Sequence, residues 1–214
     1  MAEDIVVIGA GGFGRETLDV IEAINAAADE PVWRVVGVVD DGPADVQMER
    51  LAARGYTHLG SLAEAADALT ASWSIVAIGA SRIRARIAAQ IDDLGGRVAT
   101  LVHPRAVVGS HLRIGEGSVV CGGVQLSTNV DLGCHVHVNP GAIIGHDSML
   151  EDFVSVNPGA VISGDVRVGE GSLVGAGAVV LQGLAVGEYA IVGAAACVTR
   201  PVADGVTVIG VPAR

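Results

Sequence analysis

VNPGAIIGHDSMLEDFVSV, residues 138–156, carries an aliphatic residue at every sixth position: Val138, Ile144, Leu150 and Val156. The interval continues in both directions. From Val102 to Val198, seventeen successive positions six apart are all Val, Ile or Leu. The residues two before them are mostly small or Val, among them Ser118, Val124, Ala142, Ser148 and Ala160, and Gly often follows the aliphatic, as at Gly145, Gly169 and Gly175. A period of six is neither the 3.6 of a helix nor the 2 of a plain strand. It fits a hexapeptide β-solenoid, in which each hexad makes a short strand and a turn and three hexads close one triangular coil. The aliphatic and the small residue two before it both point into the prism. Stacked at the strand spacing of ~4.8 Å, five to six coils make a prism roughly 25 Å tall.

Residues 1–101 follow a different rule. IVVIGA (5–10) is an apolar run that reads as a buried parallel strand. WRVVGVVD (33–40), SIVAIGA (74–80) and RVATL (97–101) read as further strands. RETLDVIEAINAAA (15–28), SLAEAADAL (61–69) and SRIRARIAAQIDDL (81–94) have helical spacing. The expected organisation is an α/β Rossmann-like βαβ domain over 1–101, a solenoid over 102–200 and a tail over 201–214.

Composition narrows the function classes. Half of the 214 residues are hydrophobic, aromatics are only 3 % and Gly supplies 30 residues, which suits thin regular layers. A formal net charge of −11 argues against nucleic acid and against an anionic membrane as partners. Cys121, Cys134 and Cys197 form no CxxC and read as reduced thiols, and no signal peptide or spanning stretch is evident, so a cytoplasmic protein is expected.

Two stretches carry candidate chemistry. Gly9-Ala10-Gly11-Gly12-Phe13-Gly14 joins the first strand to the first helix and contains GxGxxG. Such glycines let backbone amides at a helix N-terminus approach a diphosphate. Asp40 and Asp41 end the second strand, where a carboxylate can bond a ribose or a base. A second turn, Gly79-Ala80-Ser81-Arg82, falls on the same sheet edge, and Arg82 or Arg84 would supply positive charge to phosphate. An NAD(P) dehydrogenase is disfavoured, because the α/β region is too short for a full double-wound sheet and a solenoid is no usual partner in hydride transfer.

The other stretch is His146-Asp147. His146 falls two residues after inward Ile144 and so projects from the prism. Among the other histidines, His58 reads as a solvent-exposed loop residue, and His135 and His137 flank inward Val136 and are expected to point outward. No spacing fixes a zinc site, and no metal is expected. Gly164 lies eighteen residues, three hexads, beyond His146 and should stack over it if the repeat is unbroken.

The unbroken hexads after a βαβ unit, with the closing IGVPAR (209–214), resemble the hexapeptide-repeat sugar O-/N-acetyltransferases. These include the sialic acid O-acetyltransferase type and the bacterial nucleotide-amino-sugar N-acetyltransferases. The resemblance covers essentially the whole chain and implies a left-handed parallel β-helix. It also implies acetyl-CoA as co-substrate, a nucleotide-linked amino sugar as acceptor and a homotrimer with the CoA site between subunits. Asn139, Gly141, Ala142, Ile144, His146 and Asp147 match the family context N-x-G-A-x-I-x-H-[DE], in which the His is the general base and the acidic residue orients it. The resemblance further implicates Gly11, Gly12, Phe13, Gly14, Asp40 and Asp41 in acceptor binding; Gly79 and Arg82, from their place on the same sheet edge, and Asn139 are expected to join them. It places Ser155, Gly164, Ala176 and Ala194 along acetyl-CoA, with Gly164 N–H as an oxyanion donor. Some members carry a second histidine nine residues after the first, where this chain has Ser155. The alternatives are sugar O-acetylation on the same fold and a non-catalytic solenoid that senses nucleotides.

Overall fold

The alternating segment folds as four parallel strands in a computed structural model that describes residues 1–214. They are β1 (Glu3–Ile8), β2 (Trp33–Val39), β3 (Trp73–Val76) and β4 (Arg97–Val98), in the order β2-β1-β3-β4. Ile5 to Ile8 are at most 2 % exposed, as expected of a central strand covered on both faces. The helices are α1 (Gly12–Ala27), α2 (Asp45–Ala52), α3 (Ala66–Ala71) and α4 (Ser81–Asp93). Val6, Ile8, Val39, Leu69, Val76 and Ile91 form the core. The chain leaves β1 towards β2 and returns to β3 on the opposite side of β1. The topological switch therefore lies between β1 and β3, and the glycine turns that follow these two strands share that crevice. Helix α2 was not expected. Its DVQMERLA buries only Leu51, so it has almost no apolar face to announce it. The helix expected over 61–69 is shorter and later, at Ala66–Ala71.

Residues 102–214 form a second compact unit. Its two-residue strands assemble into three parallel sheets of five, six and seven strands, which make about six left-handed coils. Register partners are one coil apart, as in Asp131↔Met149, His137↔Ser155 and Ile143↔Val161. From Val120 to Val198 every rung of the aliphatic ladder is at most 2 % exposed. Val108 is 48 % exposed, because an end rung has a coil on one side only. Three inward positions are serines, and each hydroxyl is satisfied within the prism. Ser148 Oγ, for example, donates to Ser163 O (3.0 Å) and accepts from Val166 N (3.3 Å). Residues 201–214, expected as a separate tail, extend the solenoid. Thr207–Val208 pairs with Ile191–Val192, and Val202 bridges Val186.

The corners share one backbone conformation. At every sixth position from His111 to Ala195 φ is positive, which is fifteen residues. Seven are Gly; the rest, including Asn129, Asp147 and Asp165, hold φ between 51° and 61°. Side chains at equivalent corners stack one coil apart. The His135 ring lies on Phe153 with centroids 5.1 Å apart and planes 4° from parallel. His135 and His137, expected to point outward from the prism, are nevertheless buried, at 8 % and 1 % exposure.

Candidate active site

The corner after strand Ile143–Ile144 carries His146 and Asp147. Neighbouring strand residues point to opposite faces, but Asp147 has φ 61°. The left-handed turn swings the two adjacent side chains together, and His146 Nδ1 meets Asp147 Oδ2 at 2.7 Å. Both side chains are about half exposed. A carboxylate only accepts, so the shared proton sits on Nδ1, and in the neutral ring Nε2 keeps its lone pair. Nε2 has no hydrogen-bond partner in the chain. The other Asp147 oxygen, Oδ1, accepts from Asn129 Nδ2 at 2.7 Å. These two bonds hold the Asp147 carboxyl below the usual carboxylate range, the Asn129 bond being the larger influence and the His146 bond the next.

Gly164 stacks against this ring. A Cβ at Gly164 would lie 2.4 Å from His146 Nε2, so only glycine leaves the ring its place. Asp165 N donates to His146 O (2.7 Å), which ties the two coils together, while Gly164 N–H bonds no group of the chain. A basic nitrogen therefore lies beside an available backbone donor. That pairing can deprotonate an attacking group and receive developing negative charge. Asn129 was missed in the sequence, although the spacing that points to Gly164 also finds it: it lies one coil before Asp147.

The other positions implicated along acetyl-CoA do not join this cluster in one chain. Ala176 and Ala194 are exposed and share another corner column, at the far edge of the six-strand face from His146. Ser155 is 4 % exposed on the seven-strand face, away from the His146 corner of the same chain. Asn139 is buried at the Ala176 corner column, and its Nδ2 donates to Val156 O at 2.9 Å. That bond braces a corner; it does not present the amide to a ligand.

The first unit holds a separate cleft, lined by Ile8, Gly9, Asp40, Asp41, Leu62 and Arg86 among others. Its glycines divide into two kinds. Gly9 and Gly14 are required by packing, since a Cβ on Gly14 would lie 1.8 Å from Gly9 O, and Gly9 has φ 117°. Gly11, Gly12 and Gly79 have nothing within 4 Å of a Cβ position, so they keep backbone amides open to approach. Gly11 caps α1 without a side-chain bond, which leaves the first-turn amides available to an anion. Phe13, in that turn, is partly buried.

Both glycine turns are braced by a charged side chain. Asp40 Oδ2 accepts from Ala10 N (2.8 Å) and Oδ1 from Gly42 N (3.0 Å). Arg84 is fully buried and donates to Ile78 O (2.7 Å) and Gly79 O (3.1 Å); burial pulls its guanidinium down to about 10. Arg84 thus supports the second turn and is not placed as a phosphate ligand. Asp41 is exposed and accepts from Leu62 N through one oxygen (2.9 Å). Arg82 is exposed outside the cleft lining, whereas Arg86, one helical turn on, lines it; that spacing could have pointed to Arg86. His58 is half-buried with Nε2 2.9 Å from Asp40 O, in contrast to the exposed loop residue expected. No three His, Cys, Asp or Glu side chains converge as a metal site, and no helix is long and apolar enough to cross a membrane.

Comparison with known proteins bears on both units. Residues 4–91 match the PglD N-terminal domain family. A GDP-perosamine N-acetyltransferase of Escherichia coli O157:H7 is 32 % identical over 149 residues, which cover 70 % of this chain and 65 % of the relative's own length. The acetyltransferase domain of PglB from Neisseria gonorrhoeae, solved with acetyl coenzyme A, is 32 % identical with a TM-score of 0.85, covering 100 % of this chain and 99 % of that one. A variant of perosamine N-acetyltransferase from Caulobacter crescentus, solved with CoA and GDP-perosamine, is 32 % identical with a TM-score of 0.84, covering 99 % and 95 %.

Proposed function

The chain belongs to the hexapeptide-repeat sugar N-acetyltransferase family, and on that footing we propose that it moves acetyl from acetyl-CoA to the amino group of a nucleotide-linked amino-deoxysugar. The observation that carries the reading is the His146–Asp147 pair with an unbonded Nε2 beside the free Gly164 amide. His146 Nε2 takes the proton from the acceptor amine as its nitrogen attacks the thioester carbonyl. Asp147 stabilises the imidazolium that forms. Gly164 N–H donates to the tetrahedral oxyanion. The C–S bond then breaks, and the imidazolium returns its proton to the departing thiolate of CoA.

In this reading the first unit binds the nucleotide. The open amides at Gly11 and Gly12 receive the diphosphate, Gly79 lets it approach the second turn, and Asp41 and Arg86 contact the base or ribose. A GDP-linked amino sugar is the first acceptor to try, by analogy with the relatives. The chain works as a homotrimer. Val107 (63 % exposed) and Ile143 (37 %), with half-buried Val161 and Val179, make the six-strand face apolar, and a second copy would cover it. Such packing would bring a neighbour's Ala176 and Ala194 to the His146 corner, a combination that one chain does not make. A cytoplasmic location agrees with free cysteines and with an acetyl-CoA supply.

The test is release of free thiol from acetyl-CoA with a panel of GDP-, UDP- and dTDP-linked amino sugars and their hydroxyl analogues. Amine-dependent release that disappears in His146→Ala is expected. Release that persists in His146→Ala, or that needs only a sugar hydroxyl, would overturn the assignment.

A further inference from the structure

We propose that Asn129 is a positioning residue for the His146–Asp147 pair: its amide, supplied from the preceding coil, holds the Asp147 carboxylate in the orientation that keeps the proton on His146 Nδ1 and the lone pair on Nε2. The inference rests on the catalytic reading of His146 given above and adds a residue to it.

Asp147 is half exposed, and an exposed hydrogen bond between two rotatable side chains is weakly held. Adjacency in the chain brings His146 and Asp147 together but fixes only one carboxylate oxygen, Oδ2 on Nδ1. Asn129 engages the other, with Nδ2 at 2.7 Å from Oδ1. Donors on both oxygens leave the carboxylate plane a single orientation.

Asn129 does not serve only as a turn former. Its φ of 57° is the conformation of all fifteen corners, and seven of them use Gly. Asn129 is the sole asparagine among those fifteen, and it lies one coil before Asp147. Aspartate, the other short side chain suited to this conformation, would place a second carboxylate against Asp147. Asparagine thus meets the backbone requirement and supplies a donor at a corner whose neighbour one coil on is acidic.

The remaining charged and titratable groups around the pair are few. His111 and Asp165 lie on the same corner column, one coil before Asn129 and one coil after Asp147. Arg113 and Asp131, on adjoining strands, bond each other. The His111 and Asp165 side chains make no hydrogen bond or ion pair with the side chain of Asp147 or His146. The lowered pKa of the Asp147 carboxyl agrees with this arrangement, since the Asn129 bond is its leading cause.

Two substitutions separate a positioning role from a structural one. Asn129→Gly keeps the left-handed corner and deletes the donor. Asn129→Asp keeps the shape and turns the donor into an acceptor. Ring nitrogen-15 shifts report the His146 tautomer without reference to activity, with His146→Ala assigning the signal. In Asn129→Gly the Nδ1–H fraction should fall and kcat should drop about tenfold with both KM values unchanged. Its melting temperature should stay within about 2 °C. Asn129→Asp should lose more of kcat. An unchanged tautomer in Asn129→Gly overturns the proposal, whether or not the rate falls. If no acetyl transfer depends on His146, the catalytic reading fails by itself, and the tautomer measurement still decides whether Asn129 orients the pair.

Discussion

Replacing Gly164 by alanine puts a methyl group into the wall beside His146. A Cβ at that position lies 2.4 Å from Nε2 and 2.5 Å from Cε1 of the ring. An ordinary contact between such atoms is about 3.5 Å, so the ring must move by roughly 1 Å. Gly164 does not have a positive φ, and its backbone accepts alanine without strain. The ring is half exposed and can yield into solvent, so the cost in stability stays below about 1 kcal/mol. The cost in rate is larger. A reacting group displaced by about 1 Å loses on the order of 100-fold, or about 2.7 kcal/mol in the barrier. The assay is the initial rate of thiol release at saturating acetyl-CoA and acceptor, paired with thermal unfolding. A kcat down about 100-fold and a melting temperature lower by no more than about 4 °C are expected. Wild-type kcat would mean that the place of His146 against Gly164 has no part in the chemistry. A melting temperature lower by more than about 10 °C would mean that the coil, not the ring, gave way. Gly145→Ala provides the contrast. Its Cβ would meet Gly164 N and Ser163 C at 2.5 Å, and backbone cannot step aside, so that variant should lose stability first.

Gly14→Ala places a Cβ 1.8 Å from Gly9 O and should leave the first unit unfolded, whereas Gly11→Ala meets open space, should melt close to wild type, and should weaken nucleotide-sugar binding by calorimetry. Equal folding and equal binding in both variants would contradict the division of the glycines. Ile144→Ala empties a fully buried rung and should cost about 2–5 kcal/mol in urea unfolding; a loss under about 1 kcal/mol would mean that the rung can collapse. Burial and the Glu22 carboxylate push the Tyr56 phenol up to about 12. Because the folded value lies above the ordinary tyrosine value of about 10, the stability contributed by the protonated hydroxyl is fully present below pH ~10 and is lost as the pH rises towards 12. Ultraviolet titration should show this tyrosine ionising late in wild type and earlier in Glu22→Gln, and a wild-type midpoint at the ordinary value would count against the Glu22 contact.

The solenoid was legible from its rungs. Seventeen aliphatics at one interval restate the same constraint, and any one of them could be lost without losing the period. The same regularity placed Gly164 over His146, because three hexads return the chain to the same corner. It kept His146 and Asp147 off the ladder and so marked them as residues that the prism does not need. The first strand and its glycine turn were also readable, since IVVI followed by clustered glycines reports burial and tight turning locally. Helix α2 was not, because a helix that buries only Leu51 leaves no apolar period to read.

Side-chain partnerships lie outside that regularity. Whether Asp147 meets His146 turned on one dihedral, the φ of 61° at a corner that Gly occupies elsewhere. Asp40 and Arg84 read as ligand candidates, and that both brace the glycine turns was not legible, because the backbone groups they bond are brought near only by folding. Ser155, nine residues after His146, is half a coil on and therefore lies on another face. Periodic burial is a property shared by many residues and is written redundantly along the chain. A hydrogen bond between two side chains depends on the rotamers of a single pair and the distance between two coils, and no repeat in the sequence encodes either one.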